Sequence, residues 1–381
     1  LITLPYLARV VGVDGIGKIA FASSIIIWIQ TFADWGFNFT ATRDVARNRD
    51  DIAKVSQIFS NVLWARCILT ILGFLILLLL IFLVPSFREN SKVILLTFLM
   101  IPGHICYPDW FFQAIEKMKY TTILNLMSKL FFTVAVFIFV KDSSDYILQP
   151  LFTSLGFILS GVFAIFIIRK WGVRLCRPSF NGIVATIKGS ADVFLNNLMP
   201  NLYNSFSSIM LGMFGGSIST GLYSAGSKFV DLTQQFISIM SRAFFPFLSR
   251  KLEKHSLYKK INLALATGMA VVLFIFAPWL IKLFYGQDFI KAVSLLRIMS
   301  ISIPFLALAN IYGTNYLILI NREKSLRKVT MYVSVFGFII ALPLVYFFDY
   351  LGAAVNVCLT RILLGSGIMI MAMKHKRSDI V

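Results

Sequence analysis

Long apolar runs separated by short polar loops cover the whole sequence. An α-helix needs about 20 apolar residues to cross a bilayer. Eleven runs reach or approach this length and a shorter one begins the chain; together they are residues 1–7, 16–38, 55–84, 93–115, 121–140, 147–168, 191–215, 222–248, 261–284, 293–320, 329–347 and 351–373. This pattern predicts an all-α polytopic membrane protein with twelve transmembrane helices. Since Leu1 lies inside an apolar run, we expect the first helix to be truncated.

The composition supports this class. Hydrophobic residues make up 58% of the 381 residues and charged residues 14%, with a mean hydropathy of +0.81. Soluble domains contain about 45–50% apolar and about 25% charged residues. A net charge of +19 would suggest nucleic acid in a soluble protein. Here the charge follows topology, so no nucleic-acid partner is expected.

Lys and Arg are distributed unequally between alternate loops. Twenty-three fall in the set that includes 43–54, 169–188 and 250–260, and six fall in the opposite set. Cytoplasmic loops carry the excess of positive charge. We therefore expect both chain termini to face the cytoplasm, in a multi-pass protein of the bacterial inner membrane.

A short glycine motif, Gly12 to Lys18, fits the beginning of a phosphate-binding loop, G-x-x-x-x-G-K. Such a loop needs Ser or Thr next to hold Mg²⁺, and Ile19 stands there instead. We interpret the stretch as an outer turn between the first two segments. The four cysteines and three histidines are scattered, which indicates neither a disulfide framework nor a metal site.

The chain contains an internal repeat. The stretch "TGLYSAGSKF" at 220–229 echoes "IGKIAFASSI" at 16–25, which pairs Gly17 with Gly221 at an offset of 204. A second echo, of 107–117 at 312–322, has an offset of 205. Six segments separate the copies, so they share an orientation. The sequence predicts two parallel six-helix lobes, residues 1–185 and 186–381.

Several charged residues lie within the apolar segments. A charge at the bilayer centre costs about 2.5–3.5 kcal/mol on insertion scales, so such residues face protein or water. Three cations, Arg66, Lys129 and Arg361, have no acidic residue within four positions, and we expect them to line a shared hydrated cavity. Their repeat-mates are apolar, which favours a role in substrate binding over a duplicated structural role.

A cationic cavity suits an anionic substrate, because Arg binds phosphate bidentately and Lys binds it as a point charge. The predicted substrate-binding residues are Arg66, Lys129, Lys228, Arg297 and Arg361. The predicted ion-coupling residues are the acids Asp34, Asp109 and Asp231. Local pairing remains an alternative for Lys228 and Asp231, which are spaced i, i+3, and helix capping or an ion pair remains one for Asp34. The candidates for sugar contacts are Asn196, Asn197, Asn201, Tyr203, Asn204, Asn310 and Asn315.

Three stretches resemble a known family. They are "LPYLARVVGVDGIGKIAF" with "ADWGFNFTATRDVARNRDD" near the beginning, "YPDWFFQAIEKMKY" at 107–120, and "IYGTNYLILINREK" at 311–324. These stretches are similar to bacterial O-antigen flippases, in the polysaccharide-transporter branch of the multidrug/oligosaccharidyl-lipid/polysaccharide exporter superfamily. The resemblance implies a MATE-like fold and translocation of undecaprenyl-pyrophosphate-linked O-antigen units to the periplasmic leaflet. It also implies proton or sodium coupling, and an O-antigen polymerase and a chain-length regulator as partners.

Three other functions compete with this interpretation. A peptidoglycan-precursor lipid flippase would need similar chemistry. A cation-coupled multidrug antiporter of the same fold should have an acidic and aromatic cavity. A membrane polymerase or ligase should carry its catalytic residues in a long outer loop, whereas all predicted outer loops are short. The sequence therefore predicts a transporter rather than an enzyme, without a cofactor.

Overall fold

The computed structural model describes residues 3–378, and within that range the chain forms helices without strands. The α-helices are α1 (Thr3–Asp34), α2 (Phe37–Arg47), α3 (Ile52–Leu83), α4 (Pro85–Glu89), α5 (Ser91–Phe98), α6 (Met100–Cys106), α7 (Asp109–Ala114), α8 (Met118–Phe139), α9 (Leu148–Lys170), α10 (Phe180–Leu198), α11 (Asn204–Phe214), α12 (Gly216–Arg250), α13 (His255–Phe284), α14 (Ala292–Ser300), α15 (Ile303–Leu308) and α16 (Glu323–Ser378). Short 3₁₀ segments lie at Ser143–Ile147, Met199–Leu202, Leu252–Lys254 and Gln287–Phe289, and a π-helix occupies Ala309–Leu317.

Within the described residues, eight helical segments are long and apolar enough to cross a membrane. Two of the long helices are interrupted: Gly12 breaks α1 with a φ of 72°, and Asp349 breaks α16 with a φ of 52°. The break in α16 separates the two spans that the sequence predicts at 329–347 and 351–373. The structure therefore confirms the all-α polytopic class.

The predicted outer turn at Gly12 to Lys18 is shorter than expected. Only Gly12 leaves the helical conformation, and Gly17 and Lys18 lie within the second part of α1. A φ of 72° is readily adopted by glycine, because no Cβ meets the backbone there.

The chain divides into two compact units. The N-terminal unit holds residues 18–201, and the C-terminal unit holds residues 3–17 together with 202–378. Helix α1 thus contributes to both units, and the division falls at Asn201 within the predicted seventh segment. The predicted lobes, which divide at residue 185, remain a prediction.

The core of the N-terminal unit is aromatic and surrounds α2. Phe37, Phe111 and Phe112 are buried, and Phe59 packs edge to face on Phe111 at 5.4 Å between ring centroids. Edge-to-face pairs add about 0.5–1.5 kcal/mol beyond the area they bury. This packing holds α2 against α3 and α7, and so fixes the end of α1 that precedes it.

The two repeat-mate glycines face each other within the C-terminal unit. A Cβ atom on Gly17 would lie 2.9 Å from the Gly221 nitrogen and would overlap the Ser217 carbonyl oxygen. A Cβ atom on Gly221 would overlap the Val13 carbonyl oxygen. The Ser217 hydroxyl also donates to Asp14. The backbones of α1 and α12 therefore lie so close together that only glycine fits at these two positions.

Candidate functional site

Arg66 is the largest fully buried side chain of the N-terminal unit, with 1% of its surface exposed. It projects from α3, and its Nη2 donates to Asn38 Oδ1 at 2.6 Å and lies 2.8 Å from Asp34 Oδ1. Its Nε and Nη1 are buried and have no hydrogen-bond partner. A buried charge needs a partner, and here the pairing uses only one nitrogen of the guanidinium.

A tight turn brings the two partners of Arg66 together. Asp34 is the last residue of α1, and Asn38 lies in the first turn of α2. Between the two helices stand Trp35 and Gly36, with φ values of 43° and 78°. The Trp35 ring stacks on Phe194 at 4.1 Å, and its Nε1 donates to the Ile187 carbonyl at 3.0 Å. The stretch "DWGFN" thus encodes a turn that points a carboxylate and an amide oxygen at one arginine.

Replacing Gly36 by alanine should damage this site. The left-handed φ strains any other residue by about 1–3 kcal/mol, and a Cβ atom would also lie 2.7 Å from Val193 Cγ1. We expect Gly36→Ala to lower the thermal unfolding midpoint in detergent. Gly172→Ala is the matched control, since its φ is 83° but its Cβ would lie no closer than 3.9 Å to Ile52. Equal decreases in the unfolding midpoint for Gly36→Ala and Gly172→Ala would show that the contact with Val193 does not contribute to the destabilisation.

Arg361 is the buried arginine of the C-terminal unit. It projects from α16 with 3% of its surface exposed. Its Nη2 donates to Asn204 Oδ1 and to Gln234 Oε1, each at 3.3 Å, and lies 3.7 Å from Asp231 Oδ1. Its Nε and Nη1 are also buried without a hydrogen-bond partner. The Asp231 side chain is 49% exposed, whereas that of Arg361 is 3% exposed.

The two units therefore contain the same arrangement at unrelated positions. In each, a buried arginine presents one nitrogen to a carboxylate and to amide oxygens and keeps two nitrogens without partners. The repeat offset relates Arg66 to Ala270 and Arg361 to Phe157, so duplication did not copy either arginine. In both units the carboxylate is more exposed than the guanidinium behind it.

Neither Arg66 nor Arg361 has an acidic residue within four positions in the sequence, but each has an acidic partner in the structure. Residues within four positions of each arginine belong to the same helix. The partners, Asp34 and Asp231, come from other helices. Asp231 pairs with Arg361, in place of the local i, i+3 pairing with Lys228 that the sequence left open.

The remaining predicted site residues form no ion pair with Arg66 or Arg361 among the contacts of the described residues. Lys129 and Lys228 are exposed on α8 and α12. Arg297 is exposed on α14, where its Nε donates to the Phe274 carbonyl at 3.3 Å and its guanidinium lies 5.4 Å from the Phe274 ring centroid. Asp109 accepts the Trp110 N–H at 2.8 Å at the beginning of α7. Their roles, and the shared cavity, stay predictions.

Sequence reasoning missed two partners of the arginines. Asn38 lies in the quoted stretch "DWGFN", four positions after Asp34, and this short spacing around a glycine turn was the signal available within the sequence. Gln234 lies three positions after Asp231, on the same face of α12. Asn204 was predicted as a sugar contact, and the structure places its side-chain oxygen on Arg361.

Comparison with known proteins decides the family. The model of the polysaccharide biosynthesis protein family matches residues 1–252, about two thirds of the chain. The chain belongs to this family. Two relatives carry the name "Putative O-antigen transporter": that of Escherichia coli (strain K12) is 27% identical over 99% of this chain and 93% of its own length. That of Shigella dysenteriae is 24% identical over 95% of this chain and 93% of its own length.

Solved structures show the fold of this family member. The lipid II flippase MurJ in an inward closed conformation superposes with a TM-score of 0.75 at 14% identity, covering 97% of this chain and 83% of that chain. An inward-facing multidrug resistance MATE family transporter of the MOP superfamily superposes with a TM-score of 0.70 at 14% identity, covering 99% and 95%. The MATE-like fold is confirmed. The names of relatives and neighbours describe transporters and a flippase, in agreement with the prediction of a transporter rather than an enzyme.

Proposed function

We propose that the chain flips an undecaprenyl-diphosphate-linked oligosaccharide, the O-antigen unit, from the cytoplasmic to the periplasmic leaflet of the bacterial inner membrane by alternating access. Membership in a polysaccharide biosynthesis family and the transporter names of two relatives support the class of substrate. The observation that carries the chemistry is the pair of buried arginines, each with two unpartnered nitrogens behind a more exposed carboxylate.

The diphosphate is the part of this substrate that the arginines suit. A guanidinium binds phosphate through two parallel N–H donors, and each such pair includes Nη2. In Arg66 and Arg361, Nε and Nη1 have no hydrogen-bond partner, and Nη2 faces the carboxylate and the amide oxygens that phosphate has to displace. The carboxylates of Asp34 and Asp231 compete with phosphate for the same charge. Substrate therefore binds by displacing a carboxylate, and protonation or cation binding at the displaced acid keeps the local charge balanced. Rebinding of the carboxylate then favours release.

The exposed cations have a supporting role in this proposal. Lys129, Lys228 and Arg297 attract the diphosphate electrostatically on its way to the buried arginines, and the polyprenyl tail stays in lipid. Asp109 is retained as a third ion-coupling candidate. Both termini face the cytoplasm, in keeping with the excess of Lys and Arg in one set of loops. A polymerase and a chain-length regulator would act after release.

The direct test is reconstitution of the chain in proteoliposomes that contain an undecaprenyl-diphosphate-linked oligosaccharide. The measured quantity is the rate at which the oligosaccharide becomes accessible to a membrane-impermeant oxidant. We expect acceleration over protein-free vesicles and over vesicles offered the peptidoglycan precursor lipid or a cationic drug. Acceleration of the precursor lipid alone would favour the peptidoglycan flippase, and drug transport alone would favour the multidrug antiporter.

Replacing Asp231 by asparagine separates binding from turnover. Hydrogen bonds to charged partners contribute about 1.5–3 kcal/mol and neutral ones about 0.5–1.5 kcal/mol. The amide therefore competes less well for Arg361, and we expect about tenfold tighter binding of the diphosphate lipid with slower transport. Asp50→Asn, which changes an exposed loop acid, should leave both quantities unchanged. Weaker binding by Asp231→Asn would contradict the competition between carboxylate and phosphate.

A further inference from the structure

A cavity of about 470 Å³ lies within the C-terminal unit, away from the residues that contact Arg361. Its volume is within the range of small-molecule sites, about 300–1,000 Å³. The residues that line it come from the 3₁₀ segment before α13, from the first turns of α13, from the π-helix and from the end of α16. They are Glu253, His255, Ser256, Lys259, Tyr312, Tyr316, Ala372 and Met373.

Aromatic rings form one side of this cavity. The His255 ring centroid lies 5.1 Å from that of Tyr316 and 5.7 Å from that of Tyr312. The His255 Nε2 lies 3.0 Å from the Ile311 carbonyl oxygen, which ties the beginning of α13 to the π-helix. Both tyrosines therefore present their rings on the side of the π-helix that faces α13.

The π-helix that carries the tyrosines is anchored from inside the unit. The Ile318 N–H donates to the Gly313 carbonyl, five residues earlier, at 3.2 Å. Asn315 is fully buried and donates to Tyr258 Oη at 2.6 Å and to Ser241 Oγ at 2.9 Å. Because one of its residues is fixed in this way, the wide helix holds Tyr316 in a defined place. Such helical segments are frequent at functional sites.

The polar groups of the cavity carry charges of both signs. Glu253 is acidic, Lys259 is basic, and Ser256 adds a hydroxyl group. The two buried arginines differ from this mixture, because two nitrogens of each guanidinium have no hydrogen-bond partner. A diphosphate would be repelled by Glu253, whereas a neutral polyhydroxylated ligand can use donors and acceptors together. Flat aromatic surfaces also accept the apolar C–H face of a sugar ring, in the manner of other amphipathic contacts of tyrosine.

We propose that this cavity binds sugar residues of the lipid-linked oligosaccharide. The proposal rests on the transport function above and assigns recognition of the glycan to a place distinct from the arginines that hold the diphosphate. Tyr312 and Tyr316 contact the ring faces, and Glu253, Ser256 and Lys259 contact the hydroxyl groups. The same contacts give the protein a means of selecting among glycans that share one lipid carrier.

The test uses the purified full chain and the reducing oligosaccharide that mild acid releases from the host's polyprenyl-diphosphate pool. Binding is measured by calorimetry in detergent, with inorganic pyrophosphate as the second probe. We expect the oligosaccharide to bind and Tyr316→Leu and Tyr312→Leu each to raise its Kd about tenfold or more. Tyr332→Leu is the matched control, because its 67% exposed ring lies on α16 outside the cavity, and it should not change the Kd.

A labelling experiment tests the same proposal without the tyrosine variants, which can fail to fold. In Ser256→Cys, the oligosaccharide should slow maleimide labelling several-fold, whereas pyrophosphate should not. Labelling that is unaffected by the oligosaccharide, or slowed by pyrophosphate alone, would overturn the proposal. The flipping assay on the same preparation separates the two proposals. Transport without protection of residue 256 from labelling would contradict the sugar site and support the transport function. Protection of residue 256 without transport would support the sugar site and contradict the transport function.

Discussion

Arg66→Met is expected to abolish transport and to destabilise the N-terminal unit. The variant removes the donors proposed for the diphosphate and leaves Asp34 without its cation. Loss of two charge-assisted hydrogen bonds corresponds to about a 100-fold or larger reduction in substrate affinity. Breaking a buried ion pair from one side costs about 3–5 kcal/mol of stability. The measurements are the flipping rate per folded molecule and the thermal unfolding midpoint.

The double variant Asp34→Asn with Arg66→Met distinguishes substrate binding from a structural ion pair. Removing both charges relieves the uncompensated carboxylate, so we expect most of the stability to return. Transport should remain lost, because the guanidinium is still absent. The matched control is the exposed pair of Arg43 and Asp44 in the same unit, 3.0 Å apart, whose neutralisation should change stability by less than about 1 kcal/mol. Recovery of transport by the buried double variant would remove Arg66 from the substrate site.

Gly17→Ala is expected to have the largest effect on folding of any single methyl addition considered. Its Cβ would overlap the backbone carbonyl of Ser217, and a backbone atom on a packed helix cannot rotate away as a side chain can. Relief requires α1 and α12 to separate, at a cost of about 3 kcal/mol or more. We expect a loss of folded protein in the membrane and a lower unfolding midpoint in detergent.

Gly268→Ala is the control for the glycine substitution. Gly268 lies within α13, has no atom within 4 Å of an added Cβ and is exposed. Alanine is a better helix former than glycine by about 1 kcal/mol, so this variant should be as stable as the parent or more stable. If Gly17→Ala unfolds no earlier than Gly268→Ala, the close approach of α1 and α12 does not limit stability.

Much of the helical framework was predictable from the length of apolar runs. The run at 55–84 corresponds to α3, that at 121–140 to α8 and that at 147–168 to α9, each within three residues. These runs are long and uniform, and their ends are set by polar residues. Gly17 and Gly221, which the sequence analysis paired, lie close together in the structure.

Irregular segments were not predictable in the same way. The run at 191–215 is divided between α10 and α11 by a 3₁₀ turn that contains Pro200. Helix α10 begins earlier, at Phe180, within the predicted cytoplasmic loop at 169–188. There the Ser179 hydroxyl accepts the Gly182 N–H at 3.4 Å as an N-cap. Apolar composition alone cannot register such a break, because proline and polar side chains are tolerated where neighbouring helices satisfy the backbone.

The candidate site was predictable in its residues more than in its contacts. Burial cost identified Arg66 and Arg361, and the same reasoning identified Asp34 and Asp231. Pairing depends on which helices are neighbours, which a single sequence does not reveal. The amides of Asn38 and Gln234 carry no charge and so gave no comparable signal, although they share the guanidinium with the acids.

The π-helix has a consequence for how relatives of this protein diverge. A π-helical turn differs from an α-helical one by a single residue in its hydrogen-bond register, and each residue of an α-helix turns the chain by about 100°. Loss of one codon between Ala309 and Leu317 would therefore rotate Tyr316 off the side that faces His255 without disturbing the apolar length of the segment. In the proposed sugar site, such a change would alter the contacts with the glycan while the apolar segments that form the membrane scaffold stay the same.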